Sequence, residues 1–361
     1  MRVALHTGQL LQPVPGGIGR YARAMIRHLP AGGVDLTAFA AGPRPGGIPQ
    51  SVPYVDLGWP RGSLRYETWH RLRRPIVRVK ADVVHAPSLA IPPVAGRPLV
   101  VTIHDIAFVR LPRATTRRGI AFHRRGLRLA REHAQLVIAP STFTRDELLL
   151  EGFAPEQLRI APLGCEPPDP LSDETIDTLV GLTGVRSPFV LSVGTVEPRK
   201  DLGVAADAIT RLRGTRDVTL VIVGPPGWGD VGGLDRPGVR RLGPVRWDIL
   251  DALYRRARAC CLPSTYEGFG LPAAEALARG CPVVASGGGA MGEIVGDAGL
   301  LCPPGDVEAF ADALGRIVDD DDLHAEFARR GPQRAALFSW SASAVRHAAV
   351  YREAIELYAR R

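Results

Sequence analysis

At 361 residues, 45% hydrophobic and with a mean hydropathy of +0.02, the chain is too long for one hydrophobic core and apolar enough for two, which excludes a disordered or fibrous protein. The net charge of +8 sits in the first half: residues 1–170 hold 23 Lys and Arg against 12 Asp and Glu, residues 171–361 hold 22 against 25, and no basic–aromatic platform for nucleic acid accompanies the excess. Five cysteines (Cys165, Cys260, Cys261, Cys281 and Cys302) form no Cys-x-x-Cys, which argues against disulfides or zinc and for reduced, buried thiols in a cytoplasmic protein.

The first strand pattern, Val3–His6, starts almost at Met1, so no signal peptide is expected, and no apolar run is long enough to span a bilayer. Pro15-Gly16-Gly17-Ile18-Gly19 follows, read as a glycine loop ahead of a helix over Gly19–Leu29. Glycines in that place let backbone donors meet an anion or a sugar ring. The full G-x-G-x-x-G spacing is missing and no ribose-binding Asp follows, so the same residues also fit a plain turn. Further short apolar runs, Val34–Phe39, Val83–Ala86, Leu99–Ile103, Leu136–Ala139 and Leu158–Ala161, suit strands buried in a parallel sheet. Gly42–Pro53 reads as a loop and Arg118–Glu132 as a helix. His104 and Asp105 end the fourth run, at the carboxyl end of a strand, where open parallel sheets hold ligands. His104 there could bond a sugar hydroxyl or be a satisfied structural histidine; His85 ends the third run.

Pro162, Pro167, Pro168 and Pro170 mark a linker, and the alternation then restarts. Strands are expected at Phe189–Val193, Thr219–Val223, Val239–Leu242, Ala259–Leu262, Val283–Ala285 and Leu300–Cys302, with helices over Leu202–Arg211, Trp247–Arg256 and Pro272–Ala278. The fold class is α/β: two doubly wound, Rossmann-like domains over 1–168 and 169–340, and a final helix in 341–361 that could pack back on the first. Arg199 and Lys200 stand in the loop after one strand; Lys200 is one of only two lysines, the other 43 cations being arginines. After another strand comes Ser264 to Gly280, a loop with Glu267, Gly268 and Gly270, then a helix carrying Glu275. Both loops leave the same end of one sheet. Cations there suit a diphosphate, the helix head suits a phosphate, and the two carboxylates suit sugar hydroxyls. Asp319 to Asp322 reads as a solvated helix start.

Taken in order, Pro15 to Gly19, His104-Asp105, Gly194 to Asp201 (GTVEPRKD), Glu267 to Glu275 and Ser286-Gly287-Gly288 resemble the retaining glycosyltransferases of family 4, which have the GT-B fold. The resemblance covers nearly the whole chain. It implies a sugar nucleotide in a cleft between two Rossmann-like domains. Arg199 and Lys200 would hold the diphosphate, Glu267 the donor sugar and Glu275 the ribose. The N–H groups of Phe269, Gly270 and Leu271 would meet phosphate or sugar. Gly16 and Gly17 would close over the diphosphate, His104 would contact the donor sugar, and the base would lie near Val245. Thr142, Phe143 and Arg145 also match a family element without an assigned role.

Implied too are same-face attack with no protein nucleophile and, since the only Asp-x-Asp spacing falls in the solvated run Asp319 to Asp322, cations in place of a metal cofactor. GTVEPRKDL is similar to the GDP-mannose-dependent members, giving a mannosyltransferase of cell-surface polysaccharide biosynthesis; a UDP-hexose fits the same motifs. The competing readings are a sugar-nucleotide 2-epimerase, which shares the fold, and a non-catalytic sugar-nucleotide-binding scaffold with a decayed site. The acceptor would be a saccharide or lipid-linked saccharide. Arg117, Arg124, Arg128 and Arg131, with Arg118 and Arg125 beside them, and the run Arg61, Arg65, Arg71, Arg73, Arg74, Arg78 and Lys80 suggest peripheral contact with an anionic membrane from the cytoplasmic side. Arginine bias on solvated faces would look the same.

Overall fold

The computed structural model describes residues 1–112, 116–229 and 231–360. They form two compact units, the first of 1–112, 116–164 and 340–360, the second of 165–339. The expected boundary at 168 thus falls four residues beyond the end of the first unit's strand-rich part.

In the first unit, β1 (Arg2–His6), β2 (Asp35–Ala40), β3 (Tyr54–Asp56), β4 (Val83–Ala86), β5 (Leu99–Thr102), β6 (Leu136–Ala139) and β7 (Leu158–Ile160) form one sheet in the order β3-β2-β1-β4-β5-β6-β7. Every pairing is parallel. Helices on the faces bury strands such as Leu136–Ala139 completely, which is why they are apolar throughout. These helices are α1 (Gly16–Ala31), α2 (Gly62–Leu72), α3 (Ala107–Arg110), α4 (Arg117–His133) and α5 (Thr142–Leu150).

Two corrections to the sequence reading arise here. The glycine stretch is the first turn of α1, not a loop: Pro15 has φ −65° and Gly19 N–H bonds its carbonyl at 3.0 Å, so the proline starts the helix. In addition, β3 and α2 form where no element was expected. The Thr142–Arg145 element is the head of α5, capped by Ser141, whose hydroxyl accepts from Thr144 N–H at 3.0 Å.

The second unit has a parallel sheet of β8 (Phe189–Val193), β9 (Thr219–Val223), β10 (Val239–Gly243), β11 (Ala259–Leu262), β12 (Val283–Ser286) and β13 (Gly299–Cys302), ordered β10-β9-β8-β11-β12-β13. Its helices are α6 (Asp173–Gly181), α7 (Leu202–Leu212), α8 (Trp247–Arg256), α9 (Leu271–Ala278), α10 (Met291–Val295), α11 (Val307–Asp319) and α12 (Asp321–Ala335). Asp320 caps α12, accepting from Leu323 N–H, so the acidic run is a helix start. All five cysteines are buried and free; burial pushes the Cys165 and Cys302 thiols up to about 11. Among the described residues no helix is long and apolar enough to cross a membrane.

The last helix, α13 (Trp340–Ala359), belongs to the first unit and packs on α1, β4 and β5. A buried hydrogen-bonded chain joins them, and its proton positions follow from one fixed point. The Ser343 carbonyl can only accept, so His347, a neutral ring because burial lowers it, donates to it from Nδ1 at 2.7 Å and accepts at Nε2. Tyr21 therefore donates to His347 Nε2 at 2.7 Å and accepts from Thr102 Oγ1 at 2.9 Å. Thr102 in turn accepts from His85 Nε2 at 2.9 Å, and His85 Nδ1 accepts from Tyr351 Oη at 2.8 Å. Each donor has one acceptor, so the chain is fully satisfied with both histidines neutral.

Burial pushes His347 and His70 down to about 4, His6 to about 3 and His85 well below its ordinary value. Eight of the nine histidines lie in the first unit; only His324 is in the second. An unfolded histidine binds a proton near pH 6.5, and these bind it only much lower. Stability is therefore full above about pH 6.5 and is lost as pH falls from there towards 4, by about 1.4 kcal/mol per pH unit for each such histidine. Urea unfolding followed between pH 7 and 5 should show the first unit's transition moving to lower urea ahead of the second's. Parallel movement of both would contradict the assignment.

Candidate functional site

The second unit's strand order reverses between β8 and β11, and ligands of open α/β sheets bind at such a switch point, outside the carboxyl ends. The two loops singled out in the sequence are the ones that leave β8 and β11 there. They are laced together. Arg199 O accepts from Thr265 N–H (3.0 Å) and Oγ1 (3.2 Å), and Arg199 Nη1 donates to Tyr266 O at 2.8 Å.

At their junction lies Glu267, 8% exposed. Lys200 Nζ bonds its Oε1, and Arg199 Nη1 lies 3.1 Å from its Oε2. Arg199 also donates through Nε and Nη2 to Oε1 of the buried Glu197, at 3.0 and 2.7 Å. Burial alone would raise the Glu267 carboxyl. Lys200, then Arg199, with hydrogen bonds from Lys200 and Ser264, overcome that and hold it down at about 2. Glu267 is thus an anion at any physiological pH: it accepts hydrogen bonds and cannot act as an acid. The cations, expected from the sequence to be spare charge for a diphosphate, already have carboxylate partners. Two cations and two carboxylates balance, and Glu197 is the partner the sequence reading missed, although it lies in the same loop.

Glycine is required against this cluster. Gly289 has φ +70°, and a Cβ there would sit 2.3 Å from Glu267 O; the adjacent Ala290 N–H bonds that same oxygen at 2.8 Å. Gly270, φ +101°, starts α9, and a Cβ on it would meet Met291 Sδ at 2.7 Å. Phe269 and Leu271 are buried beside it, and the N–H groups of Gly270 and Leu271 stand at the open head of the helix.

Glu275 lies one turn into α9, 3% exposed, and its Oε2 accepts from the buried Tyr254 hydroxyl at 3.2 Å. Tyr254 belongs to a face of α8 that sequence reasoning did not pick out. Trp247, Asp251 and Tyr254 recur at i, i+4 and i+7, and all three turn to α9. Trp247's ring lies under the Arg279 guanidinium at 4.9 Å. Asp251 Oδ1 accepts from Arg279 Nε at 2.6 Å, both side chains fully buried. Arg279 Nη1 then reaches back to Glu275 O at 3.1 Å, tying the end of α9 to the turn that carries Glu275. Val245 is half-buried in the turn after β10, at the same sheet end but two strands from β8.

In the first unit, Gly16 and Gly17 are exposed at the head of α1. His104 follows β5 and is half-buried. Its Nε2 donates to Pro87 O at 3.0 Å, which leaves Nδ1 as a lone-pair acceptor, and the Tyr21 ring stands edge-on to it at 4.8 Å. Burial lowers it to about 4, against the opposing pull of Asp105 and the Pro87 carbonyl, so it is neutral at pH 7. Of the α4 arginines, Arg124, Arg128 and Arg131 line a pocket of about 400 Å³ with Val109, Leu127, Phe153 and Glu151. Arg125 pairs with Glu67 instead. The run from Arg61 to Lys80 is not one basic face. Arg65 is buried, donating to the carbonyls of Leu57, Gly58 and Pro60, and Arg73 donates to those of Trp69, Ile91 and Pro92.

Two family models match: "Glycosyltransferase Family 4" over residues 15–167 and "Glycosyl transferases group 1" over 187–320. The chain is 30% identical to the MMP alpha-(1->4)-mannosyltransferase of Mycolicibacterium hassiacum, across 94% of this chain and 95% of the relative. It is 31% identical to O-antigen chain mannosyltransferase B of Escherichia coli, across 72% and 71%. Its fold is like that of the sucrose-phosphate synthase of Thermosynechococcus elongatus, with TM-score 0.76 at 22% identity over all of both chains. It is also like that of Anabaena HepE in complex with UDP and glucose, with TM-score 0.76 at 21% identity over 98% and 100%.

Asp251→Ala would strand a fully buried guanidinium. It should cost the second unit about 3–5 kcal/mol in denaturant unfolding, the usual penalty for halving a buried ion pair. A loss below about 1 kcal/mol would show that Trp247 and the carbonyls alone hold Arg279.

Proposed function

The chain belongs to glycosyltransferase family 4, and on that premise we propose that it moves mannose from GDP-mannose to a saccharide or lipid-linked acceptor, with retention at the anomeric carbon. The observation that carries the reading is Glu267, ionised and buried between Arg199 and Lys200 beside the open head of α9. Two relatives named as mannosyltransferases support the sugar.

In this reading the second unit binds the donor. Breaking the anomeric bond leaves negative charge on the diphosphate, and Arg199, Lys200 and the N–H groups of Phe269, Gly270 and Leu271 stabilise it. No divalent cofactor is needed. Glu267 keeps both cations in position, and its remaining lone pairs accept from hydroxyls of the donor sugar. With a cation on each oxygen it is a poor nucleophile, which favours attack from the face the leaving group departs. Glu275, oriented by Tyr254, accepts from the ribose hydroxyls, and the base lies towards Val245. Gly16 and Gly17 offer backbone donors to the diphosphate. His104 meets the sugar as a neutral ring, so it contributes a lone pair and no charge. The acceptor is read by the first unit, and the enzyme works peripherally at the cytoplasmic face of an anionic membrane.

A UDP-hexose donor is the second reading, favoured by the UDP and UDP-glucose in the titles of the HepE structures. Thermal shifts with GDP-mannose, UDP-glucose, UDP-N-acetylglucosamine, GDP and UDP, in EDTA, separate the two. A ligand at a hundred times its Kd adds about 2.7 kcal/mol. The expected result is a rise with GDP-mannose and GDP that Glu275→Ala and Lys200→Ala abolish. A rise with UDP compounds alone moves the donor to the second reading. No rise with any nucleotide overturns the site and leaves a non-catalytic scaffold.

A further inference from the structure

We propose that the outer face of α2, with Trp59 at its head, is the surface by which the first unit docks on an anionic lipid bilayer. This rests on the peripheral reading above and names its contact.

The face is built, not incidental. Leu64, Thr68 and Leu72 recur at i, i+4 and i+8 and run up the outside of α2, while Arg65 and Trp69 on the other side are buried. Trp59 is 81% exposed, Leu72 67%, Leu64 50% and Ile76 44%. With Pro60, Arg74 and Pro75, the first three of these and Thr68 line one groove of about 310 Å³. Arg65 explains the display of Trp59. By donating to the carbonyls of Leu57, Gly58 and Pro60 it ties the turn down from inside, and the indole is left on the outside. Arg73 fastens the other end of the helix through three more carbonyls. Scattered apolar side chains are ordinary on a protein surface, but here an indole and two leucines line one groove as a contiguous patch.

Charge selects the occupant. Between residues 57 and 80 the only acid is Glu67, and it is taken by Arg71 and Arg125. Arg74, Arg78 and Lys80 are exposed and make no ion pair among the described residues. An apolar stripe with an indole and an unneutralised cationic edge matches the interfacial layer of a bilayer. Its acyl boundary takes the leucines, its headgroup level takes tryptophan, and its anionic lipids take arginines. A protein partner would have to bring both an apolar ridge and a negative rim.

Co-sedimentation of the full chain with phosphatidylglycerol–phosphatidylcholine vesicles, and with phosphatidylcholine alone, tests this. Binding to the anionic vesicles is expected, weakened at least tenfold in Trp59→Ser/Leu72→Ser, and weakened and less salt-dependent in Arg74→Gln/Arg78→Gln. Arg124→Gln/Arg128→Gln should bind as the unchanged chain does. Because these side chains are exposed, the thermal response to nucleotide should be the same in every variant, which keeps this result apart from that of the donor site. No vesicle binding by the unchanged chain overturns the peripheral reading and this face together. Binding that survives Trp59→Ser/Leu72→Ser overturns the face alone. A concentration-dependent dimer in sedimentation velocity that the same variant abolishes would give the face to a second copy and also overturn the proposal.

Discussion

Glu267 sits at the one point where the sheet of the second unit divides, and two cations from the neighbouring loop close on it. Much of the local geometry follows from keeping that carboxylate ionised while buried. The loops after β8 and β11 must lie against each other, which the Arg199 carbonyl and guanidinium achieve from both sides. The chain after β12 must come close enough to hold Glu267's own carbonyl, which only a glycine at 289 permits. An isolated buried carboxylate would neutralise itself by taking a proton. Here the surroundings supply enough positive charge that it stays an anion, and the site is electrically balanced before any ligand arrives.

The two units solve burial of polar groups in different ways. The second uses full charges: Glu267 with Arg199 and Lys200, and Asp251 with Arg279 and Arg255. The first, apart from Arg65 on its three carbonyls, uses neutral hydroxyls and imidazoles linked head to tail, from Tyr351 to the Ser343 carbonyl. Ion pairs tolerate acid down to the carboxylate range. A chain of neutral histidines does not, because an added proton puts a charge where burial disfavours it. His104 stands beside this chain, with the Tyr21 ring against it. Its neutrality has the same cause, burial.

Most of the strands were legible because buried parallel strands are apolar on both faces, and a run such as Leu136–Ala139 has few other uses. The two site loops were legible as the loops after strands. What escaped was whatever depends on partners remote in sequence. Helix α2 carries its apolar stripe outward and a buried arginine inward, so its periodicity points the wrong way for a core helix. Gly16, Gly17 and Gly19 read as a loop, yet Pro15 pre-sets the helical φ and outweighs them. Arg65 and Arg73 read as surface charge although their guanidinia serve backbone carbonyls. Ser343, His347 and Tyr351 recur every four residues in plain sight, but only the fold brings them opposite Tyr21 and His85.

Helix α13 follows the entire second unit in the chain, yet it supplies Ser343, His347 and Tyr351 to the polar interior of the first. During synthesis, Tyr21, Thr102 and His85 must therefore wait with unmet hydrogen-bonding groups until the residue 326 places beyond Tyr21 has been added. The unit encoded first is the one completed last. The second unit has every strand and buried ion pair of its own by Ser339 and can close while its predecessor is still open. A nascent or prematurely stopped chain would thus expose its N-terminal half, not its C-terminal half, to chaperones and proteases.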